Sequence, residues 1–282
     1  MANVTTEERP TAAERRVTGR INYLGPMSER PRYYANDSSR DVLVLEETAV
    51  QIRDVRAAAS PPSIDREGFM LTPHVSAVSD FRDQAEVARV HPAEIEALLL
   101  KITGADRVAV SGPGVLRFGE KSKDSGSLNN SRPARFVHID VSDETAAGFA
   151  KRSNPEPDRK VRRYANYNVW RVISDPPQDV PLAVCDARSL APQDLVEADA
   201  VFDSATAPEW SFVGLVVRPN PDHRWSYFSG MTRDEALVFK TKDSDPSAAH
   251  HVPHSAFDDP TCPAGVSPRA SIEMRGIAYW YE

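Results

Sequence analysis

The chain has 282 residues, 40% hydrophobic and 27% charged, and a formal net charge of −7. That length suits one large domain or two small ones, and the balance is that of an ordinary globular chain. No basic run points to nucleic acid or an anionic membrane, no apolar run reaches a membrane span, and Met1–Arg16 lacks an apolar signal core, so a cytoplasmic protein is expected.

Twenty-three prolines against thirteen glycines favour ordered loops and strand ends over a helical bundle. Cys185 and Cys262 match no metal spacing and read as free thiols, with a disulfide between them left open.

Residues 1–20 read as a flexible tail, with a short helix over Thr11–Arg16 as the variant of that reading, and 21–282 as one domain. Val42–Leu45 and Val50–Val55 are β-like runs separated by Glu46-Glu47-Thr48, read as a turn. After the break at Ser60-Pro61-Pro62-Ser63, Gly68-Phe69-Met70-Leu71 starts a new element. Asp83–Thr103 is helical in pattern. Pro92 sits where a second helix, Ala93–Ile102, would begin, and Gly104 ends it. Val108-Ala109-Val110 resumes β structure. Phe118–Arg132, rich in Gly, Ser, Lys and Asn, reads as a loop placed to cover a site or simply to lie on the surface.

Arg135-Phe136-Val137-His138-Ile139-Asp140-Val141 reads as a strand, and Ser142 as the cap of a helix through about Lys151, broken by Asn154-Pro155. Further strands are expected at Tyr167–Ile173, Leu182–Cys185, Phe212–Val217, Trp225–Phe228, Leu237–Lys240, Val252–Phe257 and Ala270–Trp280. A helical first third followed by many short strands reads as a β-barrel or sandwich buttressed by N-terminal helices.

Strand alternation puts His138 and Asp140 on one face, where an imidazole and a carboxylate supply two ligands of a 2-His-1-carboxylate metal site. A third ligand must come from downstream. His223 falls in a turn and His250 in a loop. His254, opening a short strand, is favoured, with His251 as runner-up. Fifteen residues beyond His254, Arg269, Ser271, Glu273 and Arg275 share a strand face. There Arg269 and Ser271 can grip a carboxylate, although the same pattern also suits an exposed edge strand.

The ordered set H-x-D, distal His, R-x-S resembles the iron(II)- and 2-oxoglutarate-dependent oxygenases. Asn168-Val169-Trp170-Arg171, Pro181–Asp186, Met231–Leu237 and Pro253–Phe257 narrow the resemblance to the hydroxylase/desaturase family of secondary metabolism, with its AsaB-like, gibberellin-desaturase-like and cephem-methoxylase-like members. It covers about Val50 to Arg275. Ser226 departs from the second tyrosine expected before Tyr227, which touches the pocket's shape and not the metal set.

The resemblance implies a mainly β fold with flanking helices, the double-stranded β-helix or jelly-roll barrel. It implies His138, Asp140 and His254 as iron(II) ligands, and Arg269 with Ser271 as the seat of the distal carboxylate of 2-oxoglutarate. Dioxygen is the second co-substrate. Arg171, and Tyr227 through its hydroxyl, are further candidates for binding 2-oxoglutarate, each with an ordinary structural role as the alternative. Asp140 argues against halogenation, since halogenating relatives carry a small residue there.

The expected reaction is hydroxylation, desaturation or oxidative ring formation on a small secondary metabolite, with no nucleic-acid or membrane partner and a homodimer left open. Two rivals remain: an iron oxidase of the same fold that uses no 2-oxoglutarate, and a metal-free accessory subunit of a biosynthetic enzyme pair.

Overall fold

The computed structural model describes residues 15–204 and 207–282. Strands β1 (Arg16–Leu24), β2 (Arg32–Tyr34), β3 (Leu45–Asp54) and β4 (Phe69–Pro73) come first, so short strands joined by loops, and not helices as expected, make up most of the regular structure in the opening third. The tail expected over 1–20 lies outside the described residues through residue 14, as does most of the suggested helix. Arg16–Arg20 already belong to β1. The expected turn Glu46-Glu47-Thr48 is inside β3, paired with Tyr23, Asn22 and Ile21 of β1. Cross-strand pairing here overrides a local sequence with weak strand preference.

A single helix, α1 (Gln84–Thr103), replaces the two expected around Pro92. The Asp83 carboxylate accepts from the amides of Ala85 and Glu86, and Gly104 closes the helix at φ 63°, a left-handed conformation that suits glycine. Val87, His91, Ile95, Leu98 and Leu99 form one buried stripe, and α1 packs on β5 (Arg107–Phe118). Burial of that continuous stripe offsets the proline's missing donor. Next come β6 (His138–Ile139) and α2 (Asp143–Ser153), which starts where Ser142 accepts from the Thr145 amide.

Strands dominate the rest of the chain, with two short 3-10 turns at Ala187–Ser189 and Pro192–Asp194: β7 (Val161–Val172), β8 (Leu182–Cys185), β9 (Leu195–Phe202), β10 (Trp210–Val217), β11 (Trp225–Tyr227), β12 (Glu235–Asp243), β13 (His254–Ala256) and β14 (Ala270–Tyr281). With β1–β6 they form a nine-stranded sheet in the order β1-β3-β11-β8-β13-β6-β10-β9-β2 and a five-stranded sheet in the order β4-β12-β7-β14-β5. The two curled sheets form the expected jelly-roll. Trp170, Val172, Val184 and Phe239 are packed together between them.

Each sheet is also buried on its other face. Tyr167, Val169 and Met274 of the small sheet pack with Ile95, Leu98 and Leu99 of α1. Val137, Ile139, Cys185, Trp225 and Tyr227 of the large sheet pack with Ile21 and Tyr23 of β1 and Ile52 of β3. Among the described residues no helix is long and apolar enough to cross a membrane.

Candidate metal centre and its anion pocket

His138 and His254 are directly paired residues of the antiparallel neighbours β6 and β13, so their side chains must leave the sheet on the same face, with ring centroids 4.2 Å apart. Asp140, two residues beyond His138, returns to that face. Its Oδ1 is 3.7 Å from His138 Nε2 and 4.0 Å from His254 Nε2. One donor atom from each of the three lies within 4.8 Å of the others, and all three residues are buried.

The backbone selects the ligating nitrogens. His138 Nδ1 is 2.9 Å from the Phe136 carbonyl and His254 Nδ1 is 3.3 Å from the Val252 carbonyl. With Nδ1 donating to a carbonyl, each ring presents the Nε2 lone pair to the cluster. Burial, then the neighbouring His254, pushes the His138 imidazole down to about 3, and burial lowers His254 too. Both rings are thus neutral and ready to ligate at ordinary pH.

Burial works to raise the Asp140 carboxyl, but the nearby Arg275 guanidinium and the imidazoles, with the Asn168 hydrogen bond, hold it below the usual carboxylate range. Asn168 Nδ2 donates to Asp140 Oδ2, and Arg275 Nη2 donates to Oδ1 at 3.3 Å and to Glu273 Oε1 at 3.0 Å. Gly214 of β10 permits the approach of this segment. A Cβ there would stand 2.9 Å from the Asp140 carbonyl and 2.9 Å from the Tyr33 hydroxyl. The donor set, neutral imidazoles with an ionised carboxylate and open space beside them, fits a divalent transition metal.

Arg269 and Ser271 lie on the same inner surface, from β14 and the residue before it. Arg269 is held through its backbone. Its carbonyl accepts from Gly119 at 2.7 Å and its amide donates to Asp179 Oδ1 at 2.9 Å. The guanidinium reaches over Trp170, 5.7 Å from the ring centroid, into a narrow cavity shared with His138 and His254. Arg269 Nε and Nη2 and Ser271 Oγ are buried without a hydrogen-bond partner. Burial, then Arg117 and Arg135, pulls Arg269 down to about 9, which leaves it cationic at neutral pH. Orphaned buried donors each cost about 1–3 kcal/mol, and more when charged, so these three atoms fit an anion in the cavity.

Two expected site residues are elsewhere. Arg171 is opposite Ile272 in the β7–β14 register, whereas Ser271 and Glu273 face Val172 and Trp170. Arg171 therefore points to the α1 side, donating to the Arg233 carbonyl at 2.9 Å and meeting His74 Nδ1 above the Phe81 ring. Tyr227 points into the core behind the large sheet, packed edge-on to Phe257, and its buried hydroxyl lacks a partner. It borders a separate cavity with Gln178 and Cys262. Tyr227→Phe is accordingly expected to shift 2-oxoglutarate affinity by less than about twofold, since no anion-pocket contact is lost. Titration of the variant beside the unmodified protein checks this, and a tenfold loss would put the hydroxyl back in the pocket.

Asn168, Glu273, Arg275 and Arg117 are the site residues that the sequence reading missed. Glu273 and Arg275 carried a signal, sharing the alternation of Arg269 and Ser271. Asn168 belongs to the same stretch as Arg171, Asn168–Arg171, on the opposite parity. Asn168→Ala is expected to weaken iron(II) binding by about 10–100-fold by freeing the Asp140 carboxylate. Competition against a chelator measures it, and unchanged affinity would make the Asn168 bond incidental.

The expected strand Arg135–Val141 shrinks to His138–Ile139, with Phe136 held by a bridge to Asn22. Beyond it a second, wider cavity of about 310 Å³ opens past Tyr33, Phe136 and His138 to Phe202 and Phe212.

Residues 21–279 match a family described as the oxidoreductase/YMDC permease-like domain. The hydroxylase/desaturase CTB9 of Cercospora beticola is 32% identical over 253 residues, 83% of this chain and 77% of that protein. The Fe(II)/2-oxoglutarate-dependent dioxygenase nvfI of Aspergillus novofumigatus is 27% identical over 237 residues, 82% of each chain. A solved structure of the iron and alpha-ketoglutarate-dependent endoperoxidase NvfI superposes with a TM-score of 0.81 at 22% identity, over 95% of this chain and 98% of that one, a likeness of fold.

Proposed function

The chain belongs to the oxidoreductase family that includes these hydroxylase/desaturases, and from that premise we propose an iron(II)- and 2-oxoglutarate-dependent dioxygenase acting on a small secondary metabolite. The observation that carries the reading is the buried triad of His138, Asp140 and His254, with ligand atoms within 4.8 Å of one another. We take 21–282 as one oxygenase domain working in the cytoplasm.

When bound, iron(II) supplies the oxidising chemistry, with 2-oxoglutarate and O2 as co-substrates and succinate and CO2 as co-products. The residues of the chain hold and orient. His138 Nε2, His254 Nε2 and the Asp140 carboxylate would hold the iron, three protein ligands that would leave room on it for the co-substrates. Asn168 and Arg275 fix the rotation of the Asp140 carboxylate. Arg269, through Nε and Nη2, and Ser271 Oγ receive the distal carboxylate of 2-oxoglutarate. The surrounding Trp170 and Leu182 keep water from that end.

Hydroxylation places one oxygen atom of O2 in the product and the other in succinate. Desaturation or ring closure removes two hydrogens, released in water. An iron oxidase that uses no 2-oxoglutarate is disfavoured, because it gives no role to the orphaned donors of Arg269 and Ser271. The test is succinate formation by the purified protein with iron(II), 2-oxoglutarate and O2. Dependence on all three is expected. A protein that binds neither iron(II) nor 2-oxoglutarate would make the accessory-subunit reading the right one.

A further inference from the structure

Arg117 of β5 is an arginine at this centre that neither the metal ligands nor the distal carboxylate of 2-oxoglutarate uses; of the others that line the wide cavity, Arg135 is paired with Glu120 and Arg132 is exposed. It pairs with Ser271 in the β5–β14 register and borders both cavities, the narrow one with Arg269 and the wide one that opens past Phe136. The carboxylates near it are Glu273 and Asp140, and both are already engaged by Arg275, itself a cationic neighbour like Arg269. Arg117 itself meets only neutral oxygens. Nη1 donates to the carbonyl of Arg132 at 2.7 Å and to the carbonyl and side-chain oxygens of Asn130 at 3.3 and 3.0 Å. Among the described residues no carboxylate is within ion-pair distance of it, and neither Nη2 nor Nε has an acceptor.

A half-buried guanidinium without a counter-ion, facing a cavity, is a ready anion anchor. The outer end of the wide cavity is different in kind. Phe202 and Phe212 stack at 5.2 Å and 26°, and Trp210, half exposed, lies on Phe202 at 4.5 Å and 17°. Near-parallel rings at a cavity edge offer a shelf to another flat apolar ring. The cavity thus runs from an aromatic shelf at its mouth to an unpaired cation beside His138 and Asp140.

We propose that Arg117 anchors the primary substrate, and that this substrate is a flat, apolar, ring-bearing acid whose carboxylate lies against Arg117 while its ring system rests on Phe202 and Phe212. The inference rests on the oxygenase reading and deepens it. An acid so bound has its carboxylate on the metal side of the cavity, so the carbons close to that group are the ones offered for oxidation. A neutral relative of the same shape keeps the shelf and loses the anchor.

The test uses the full chain loaded anaerobically with iron(II) and 2-oxoglutarate, with 2-naphthoate and its methyl ester as calorimetric probes. The acid is expected to bind at least about tenfold more tightly than the ester, the ratio that one charge-assisted contact of about 1.5–3 kcal/mol gives. In Arg117→Met that preference should fall to within about twofold, and Arg117→Lys, which keeps the charge without the fork, should retain part of it. Thermal melts of both variants establish that they fold.

Equal binding of acid and ester by the unmodified protein overturns the anchor. So does an Arg117→Met variant whose loss for 2-oxoglutarate equals or exceeds its loss for naphthoate, because Arg117 would then serve the co-substrate. Failure of the unmodified protein to bind 2-oxoglutarate at all would overturn the oxygenase reading instead.

Discussion

His254→Ala is expected to lower iron(II) affinity by more than about 100-fold, beyond the 10–100-fold typical of losing a mere outer partner of a ligand, and to end succinate formation. The geometry leaves no substitute. His254 Nε2 is 4.0 Å from Asp140 Oδ1, and the ring is 4.2 Å from that of His138, whereas His251 is turned away, its Nε2 2.7 Å from Asp143 Oδ1. His251→Ala should therefore keep the metal. Because His254 is buried against Phe239, the alanine opens a cavity in packed structure, and some stability is lost as well. His254→Gln, close in volume, separates the two effects: its melting temperature should stay nearer the unmodified protein while iron binding still fails. Iron retained in His254→Ala and lost in His251→Ala would reverse the assignment of the third ligand.

The metal set was legible because it needs only parity within a strand and the order of elements along the chain. His138 and Asp140 share a face whichever way the strand turns, and the pairing of β6 with β13 does the rest. That Arg269 and Ser271 share one surface was legible for the same reason. Arg171 and Tyr227 ask for more, namely which of two faces looks inward.

Both sheets are buried on both faces, the small one under α1 and the large one where it curls back on its own strands β1 and β3, so apolar alternation carries no sign. Arg171 reads from sequence as a binding residue, yet the face it shares with Val169 packs under α1, while Asn168 and Trp170 face the cluster of His138, Asp140 and His254. β9 escaped notice for another reason. Its Leu195-Val-Glu-Ala-Asp-Ala-Val-Phe202 sequence has acidic residues on one parity, and pairing with β10 and β2 makes it a strand. Arg30 then meets Glu197 and Asp199 at 3.2 and 2.9 Å, contacts that no local pattern announces.

Arg269→Ala is expected to raise the 2-oxoglutarate requirement by roughly 30- to several thousand-fold, equivalent to about 2–5 kcal/mol for truncating one partner of a desolvated charge pair. The size follows from where the guanidinium sits. Only 1% of Arg269 is exposed, its Nε and Nη2 have no acceptor in the protein, and its backbone is fixed at both ends by Gly119 and Asp179. A dicarboxylate arriving there meets a cation that burial has already stripped of water, so the contact forms at little cost in side-chain order.

Ser271→Ala removes a neutral donor and should cost only about 0.5–1.5 kcal/mol, near two- to tenfold. Arg269→Lys should recover part of the loss and not all, because an ammonium cannot present two parallel N–H groups to one carboxylate. Iron(II) binding should persist in all three variants, since the triad is held by its own backbone and by Asn168. The measurement is the 2-oxoglutarate dependence of succinate formation, with calorimetric affinity beside it. An Arg269→Ala protein with an unchanged requirement would show that the orphaned donors wait for some other anion, and the seat of the co-substrate would have to be sought at Arg117.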